Sequence, residues 1–202
     1  MNYLAIDTSG KNLTVIICKD DEVYTYFDSE CGVNHSVALM PRVEELAKKA
    51  NFNFNSADFF ACVVGAGSFT GIRIGVATIK AMCFAFNKPC LSITSFDTLA
   101  YNEKGNVLAL IDAKHNGFYA CGYKNGEIDF EPSYLMREQV EELVNNYDSV
   151  VSSTDISGIS VKKVSVSEGF MKAIQCKKHL ASEDAETLTP LYVRKSQAEE
   201  GR

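Results

Sequence analysis

Leu4-Ala5-Ile6-Asp7-Thr8-Ser9 is a short apolar run closed by an aspartate, and Leu108-Ala109-Leu110-Ile111-Asp112-Ala113-Lys114 can be laid on it by matching Asp7 with Asp112, an offset of 105. The same offset, without a gap, puts Lys19 on Lys124 and Glu22 on Glu127. Each copy reads as a strand ending in Asp, a short turn and a returning strand. A repeat of this kind bears on the whole architecture, so it comes before any single motif.

Around the first copy, Tyr3–Asp7, Leu13–Lys19 and Glu22–Asp28 read as three strands joined by short polar turns. Asn34 stands as the N-cap of a helix over His35–Ala50, in which Leu39, Val43, Leu46 and Ala50 recur at helical spacing. Pro41 falls inside that pattern and should kink the helix or move its start toward Met40. A buried strand over 59–64, a glycine loop, a helix over 71–86 and a strand over 89–94 complete an order β-β-β-α-β-α-β. Beyond the second hairpin the pattern predicts a helix over 136–146, a strand over 149–153, and helices over 168–175 and 181–187. The fold class is therefore α/β, with two related lobes, 1–101 and 102–202, and the second reduced. The polar run Asn102-Glu103-Lys104-Gly105 divides them, and the final segment is expected to pack back on the first lobe.

The 202 residues are 46% hydrophobic and 23% charged, as in an ordinary globular protein, and the net charge is −6. A chain that gripped RNA by its phosphates would carry a basic excess, so any contact with RNA is expected to be indirect. The seven cysteines are scattered and form no C-x-x-C pair, which argues against a zinc ribbon or redox dithiol and for a reducing compartment. The start of the chain has no signal-peptide pattern. The longest apolar runs, near 59–64 and 81–86, are short of a membrane span. A soluble, cytoplasmic protein is expected.

Three places could carry chemistry. The first is the hairpin Asp7-Thr8-Ser9-Gly10, whose acidic strand end resembles that of actin-like ATPases, where it helps organise metal and water. Position 8 is Thr, however, and a Cβ there would crowd a phosphate; the plain reading is that Asp7 and Asp112 orient their own turns. The second is Gly65-Ala66-Gly67-Ser68-Phe69-Thr70-Gly71, a glycine loop before a helix and a possible anion nest. Its spacing is neither that of a P-loop nor G-x-G-x-x-G, and a tight strand–helix turn accounts for it equally well. The third is His35-Ser36. A helical metal pair would need a ligand four residues on, where Leu39 stands, and His115 and His179 bear no spacing relation to it. Metal hydrolysis has little support, and no G-x-S-x-G occurs. No catalytic residue, metal ligand or cofactor is assigned.

The string from Gly65 to Gly75, Gly-Ala-Gly-Ser-Phe-Thr-Gly-Ile-Arg-Ile-Gly, resembles the hallmark of the TsaB family, also called YeaZ. Leu4-Ala5-Ile6-Asp7-Thr8-Ser9, His35-Ser36 with Leu39-Met40-Pro41, Ile111-Asp112-Ala113-Lys114 with Tyr119, and Pro190-Leu191-Tyr192-Val193-Arg194 are similar to its other motifs, in the same order. The resemblance implies the actin/Hsp70-like (ASKHA, ribonuclease H-like) duplicated fold. It implies a non-catalytic subunit that pairs with the paralogue TsaD and works with the ATPase TsaE. Together they form N6-threonylcarbamoyladenosine beside the anticodon of tRNAs reading ANN codons, with threonylcarbamoyl-adenylate as donor. TsaD carries a metal-binding H-x-x-x-H, which Leu39 breaks here. Lys114 stands where Arg is usual and lacks its bidentate fork. The isolated chain is expected to pair with itself. The alternatives are a glycoprotease-like metallohydrolase, a small-molecule kinase and an actin-fold dimerisation module with another partner.

The helix over 71–86 is apolar nearly all round. Ile72, Val76, Ile79, Cys83 and Phe86 are expected to pack on the first-lobe sheet. The small row Arg73, Ala77, Ala81 and Ala85 would let another helix approach, and Val37, Met40 and Ala47 widen the apolar face of the preceding helix. These seven are the candidate partner-interface residues; the competing expectation is that the two helices merely pack on each other.

Overall fold

The computed structural model describes residues 1–194, and these divide into two compact units, one of Met1–Ile93 with Cys176–Pro190, the other of Thr94–Gln175 with residues 191–194. Residues 195–202, the end of the expected second lobe, lie outside the described residues.

The first unit opens with β1 (Tyr3–Asp7), β2 (Leu13–Lys19) and β3 (Glu22–Asp28). β1 is buried along its whole length, as a central strand covered on both faces should be, whereas β3 is an edge strand with exposed and half-exposed positions. α1 (His35–Ala50) buries Leu39, Val43, Leu46 and Ala50 as its spacing demands. Asn34 makes no side-chain cap; the helix is entered through the 3-10 turn Gly32–Asn34 instead. Pro41 lies within the helix on its exposed side, where water can satisfy the carbonyl that loses its donor. β4 (Phe59–Val63), α2 (Phe69–Phe86) and β5 (Cys90–Ile93) complete the unit. α2 starts before Gly71 because the Ser68 hydroxyl accepts the Gly71 N–H at 3.2 Å and serves as the N-cap.

The sheet order is β3-β2-β1-β4-β5, with β1 antiparallel to β2 and parallel to β4. α1 and α2 share the face that carries Ile6 and Phe60: the Arg42 guanidinium lies 4.8 Å over Tyr26, and Phe60 meets Phe86 with ring centroids 5.9 Å apart. The open edge of β5 is closed by the returning chain, since Cys90 and Ser182 exchange backbone hydrogen bonds of 2.8 Å in both directions. That extended pairing is why the helix expected over 181–187 shrinks to one 3-10 turn, Ala185–Thr187.

The second unit holds α3 (Ser95–Ala100), β6 (Asn106–Asp112), β7 (Gly117–Lys124), β8 (Glu127–Met136), α4 (Arg137–Leu143), β9 (Ser149–Ser152), β10 (Lys162–Lys163) and α5 (Val166–Lys177). Its sheet runs β8-β7-β6-β9-β10, the same path as the first, so the fold is duplicated. The reduction lies in the helix layer: α4 has 7 residues against 16 in α1, and no helix joins β9 to β10. Pro132, Asp129 and Glu131 on the edge strand β8 discourage further strand pairing.

The matched aspartates close their strands alike but do not share a face. By strand alternation Asp112 lies on the side of Leu108 and Leu110, which α4 covers through Val140. Asp7 lies on the side of Tyr3 and Ala5, away from Ile6 and α1. The 105-residue offset is thus right for the strand ends and one residue out for the faces.

All seven cysteines are free; Cys18, Cys31, Cys62, Cys83, Cys90 and Cys121 are buried, and Cys176 is exposed. Burial pushes the Cys83 thiol up to about 12 and the Cys62 thiol well above the ordinary thiol range.

Candidate partner-binding face

The first two chemical candidates meet in the first unit, and each closes the other. The Ser68 N–H donates to the Ser9 carbonyl at 2.7 Å, and the Thr8 hydroxyl donates to the Gly71 carbonyl at 2.7 Å. Gly67, Gly71 and Gly75, four residues apart, leave a groove along the start of α2 in which the Thr8–Ser9 backbone rests. A Cβ at Gly67 would strike the Ser9 carbonyl oxygen, one at Gly71 the Thr8 carbonyl oxygen, and one at Gly75 would come within 2.8 Å of Thr8 Oγ1. The glycines serve close packing, and the ground a phosphate would need is taken by this chain's own carbonyls.

Asp7 is 2% exposed, and its Oδ1 accepts both the Ser9 N–H at 2.8 Å and the Ser9 hydroxyl at 2.7 Å. Burial raises its pKa, while the Ser9 bonds and the nearby His35 pull it down less strongly. This is a carboxyl engaged in its own turn and shut off from solvent. Asp112 makes the same local turn, with Lys114 N–H on Oδ1 at 2.8 Å and Lys114 Nζ on Oδ2 at 3.1 Å. Burial works upward on it, but the Lys114 bonds and the charges of Lys114 and Arg137 hold it below the usual carboxylate range.

His35, the first residue of α1, is buried, and its Nε2 donates to the Asn12 carbonyl at 3.0 Å, tying the helix to the β1–β2 turn. Leu39 is in the core, and His115 and His179 are exposed. Among the described residues no group of three His, Cys, Asp or Glu could hold a metal ion.

The interface candidates fall into two sets. Ile72, Val76, Ile79 and Cys83 of α2 are buried, and Phe86 is half-buried against Phe54 and Phe60, so the inner row packs as its bulk suggests. Arg73, Ala77, Ala81 and Ala85 lie on the exposed side of α2. On α1, Val37 is 75% exposed and Met40 is exposed as well, whereas Ala47 turns inward with Leu46 and cannot meet a partner. Phe84, 67% exposed, belongs to the outer face and was not among the candidates. Its position three residues beyond Ala81 was the available signal. Among the described residues α2 is the one helix long and apolar enough to cross a membrane, yet its inner row is committed to β4.

The family model described as "TsaD: tRNA N6-adenosine threonylcarbamoyltransferase" matches residues 28–133, just over half of the chain. Among curated proteins, the tRNA threonylcarbamoyladenosine biosynthesis protein TsaB of Bacillus subtilis (strain 168) is 31% identical over 134 residues, covering 64% of this chain and 58% of the relative. The protein of the same name from Haemophilus influenzae (strain ATCC 51907 / DSM 11121 / KW20 / Rd) is 25% identical over 159 residues, with 75% and 67% covered. The matches thus span about six-tenths of the length of these relatives. The solved structure of YeaZ from Pseudomonas aeruginosa, 20% identical, superposes with a TM-score of 0.78 over 95% of this chain and 99% of that one, which shows a common fold.

Proposed function

The chain belongs to the TsaB family, and from that premise we propose that it is a non-catalytic partner subunit of the complex that forms N6-threonylcarbamoyladenosine in tRNA, acting in the cytoplasm by pairing with TsaD. The observation that carries this reading is the outer face of α2. An 18-residue apolar helix keeps Ala77, Ala81, Phe84 and Ala85 on its solvent side, and α1 adds Val37 and Met40. Small residues with one large aromatic knob suit close helix–helix approach. The closed hairpin site supports the non-catalytic part, because Asp7 is engaged by Ser9 and the glycine loop is packed on the Thr8–Ser9 backbone. The same face is expected to pair with a second copy when TsaD is absent, and TsaE and tRNA to join through the complex.

Ala81→Arg tests the reading. Ala81 is exposed, so the variant should melt as the parent does. An unpartnered Arg in a dry helix–helix seam should cost several kcal/mol, enough to dissociate a complex of about micromolar Kd. Light scattering of the mixture with TsaD should show no complex, and tRNA modification should be lost. A variant that melts normally and still pairs would remove this face from consideration. The purified protein is also expected to turn over no ATP above an Asp7→Ala control at saturating magnesium.

A further inference from the structure

The sheet of the first unit has two edges. The β5 side is closed by the returning chain at Ser182. β3 forms the other, and among the described residues nothing pairs with its outer side. The hairpin decides which backbone groups look outward. Lys19 and Glu22 are the closing pair across a two-residue turn, and Asp20 and Asp21 have φ of 51° and 67°, as in a type I′ turn. In such a hairpin the closing pair exchanges hydrogen bonds and the pattern alternates from there. Glu22, Tyr24, Tyr26 and Asp28 therefore bond to β2, while Val23, Thr25 and Phe27 turn their N–H and C=O groups away from it. Those three also carry exposed side chains, Val23 at 42% and Phe27 at 49%. β3 holds no proline, glycine or lysine, and it pairs with β2 in one register from end to end. The outer strand of the second unit, β8, carries Pro132 and shifts register against β7 on either side of Gly122. One edge is blocked and the other is open.

We propose that the outer side of β3 receives an extended segment of a partner protein, with a basic residue at each end, as one more strand of the sheet. A row of backbone donors and acceptors at every second residue is matched by extended backbone and not by a helix. The charges select the segment. Glu22 and Asp28 are the two ends of the strand itself, Asp20 and Asp21 form the turn at one end, and Glu30 follows the other. The cations near those ends, Lys11, Lys19 and the N-terminal ammonium on Asp21, come from the β1–β2 side of the strand. Arg42 stacks on Tyr26 in mid-strand and is held by Glu45 at 2.6 Å. A second copy would fit the backbone but not the charge. Antiparallel pairing about Thr25 sets Glu22 against Asp28 at both ends, and like charges directly opposite are destabilising. A segment with Lys or Arg six residues apart reverses both contacts, and β-branched residues between them suit the surface of Val23, Thr25 and Phe27. The site goes beyond the reading above and does not depend on it, since it uses no residue of α2.

The test uses the full chain and three fluorescent peptides read by anisotropy: Lys-Val-Thr-Val-Thr-Val-Lys, the same with glutamate at both ends, and the lysine peptide methylated on its internal backbone nitrogens. The lysine peptide should bind at least about tenfold more tightly than the glutamate peptide, and high salt should narrow the gap. The methylated peptide should not bind, and the amides of Val23, Thr25 and Phe27 should exchange with deuterium more slowly when the lysine peptide is present. Thr25→Pro removes an outward N–H that the fold does not use, and should weaken the lysine peptide about tenfold or more. Glu22→Lys leaves the backbone intact, and should weaken it severalfold if the first variant melts early. Binding of the methylated peptide, equal binding of the two charged peptides, binding of neither, or indifference to both variants would overturn the site. Loss of the chain's self-association with Thr25→Pro would do the same, by giving the edge to a second copy.

Discussion

The two units follow one strand path and solve the same packing problem differently. The first covers its sheet with two full helices and locks one of them, α2, onto the β1–β2 turn through three spaced glycines. The second covers the corresponding surface with a seven-residue helix and a turn carrying two isoleucines. A duplicated architecture therefore needs only its strand order preserved; the helix layer can be thinned where side chains from a loop reach the core. The first unit is the more tightly closed of the two, and that difference can be measured.

The largest contrast is expected between equivalent core truncations. Ile79 of α2 is fully enclosed, and Ile79→Ala should cost about 4 kcal/mol because the cavity cannot collapse. Ile159 lines an open hollow of about 290 Å³ in the second unit, and Ile159→Ala should cost only about 2 kcal/mol, since its surroundings already meet solvent. Urea midpoints compare the pair directly; equal losses would mean that the second unit is packed as fully as the first.

Glycine substitutions give a smaller contrast. Gly71→Ala forces a methyl into the Thr8 carbonyl, and about 3 kcal/mol should be lost. Gly158 has φ +78° but its nearest neighbour, an Arg137 nitrogen, is 3.4 Å from an added Cβ, so Gly158→Ala should cost about 1 kcal/mol of backbone strain alone. A mild Gly71→Ala would show that the lock is loose.

The smallest effect is in pH dependence, and its sign differs between the two hairpins. The folded pKa of Asp7 is raised, so the stability it contributes is present below the ordinary carboxylate range and is lost as pH rises through the folded value. Relative to Asp7→Asn, the parent should weaken over that window. The folded pKa of Asp112 is lowered, so relative to Asp112→Asn the parent should weaken as pH falls instead. Thermal melts from acid to neutral pH would expose parallel profiles, which would contradict the different settings of the two aspartates.

Most of the first unit was legible because each element carries its own pattern and its own stop: continuous apolar runs for β1 and β2, a mixed polar and apolar run for β3, a helical stripe for α1, glycines before α2. α3 is six residues long and too short to show a period, and Pro132 with Asp129 and Glu131 disguised β8 as a loop. The face of Asp112 was hidden because a one-residue shift leaves a strand-plus-turn pattern looking unchanged. The outer row of α2 was legible from its small residues. The closure of the glycine loop was not, because Thr8 and Gly71 are 63 positions apart and only the assembled sheet brings them together.

The burial of six cysteines has a practical consequence for anyone wishing to watch this protein at work. Thiolate, not thiol, reacts with maleimide or a nitroxide reagent, and burial both shields the six and holds thiols such as those of Cys62 and Cys83 in the unreactive form. Cys176 alone is exposed, at the point where the chain passes from the second unit back to the first. The unmodified protein therefore comes with one labelling handle already installed, and a dye or spin probe placed there would report on the returning segment without any engineered cysteine.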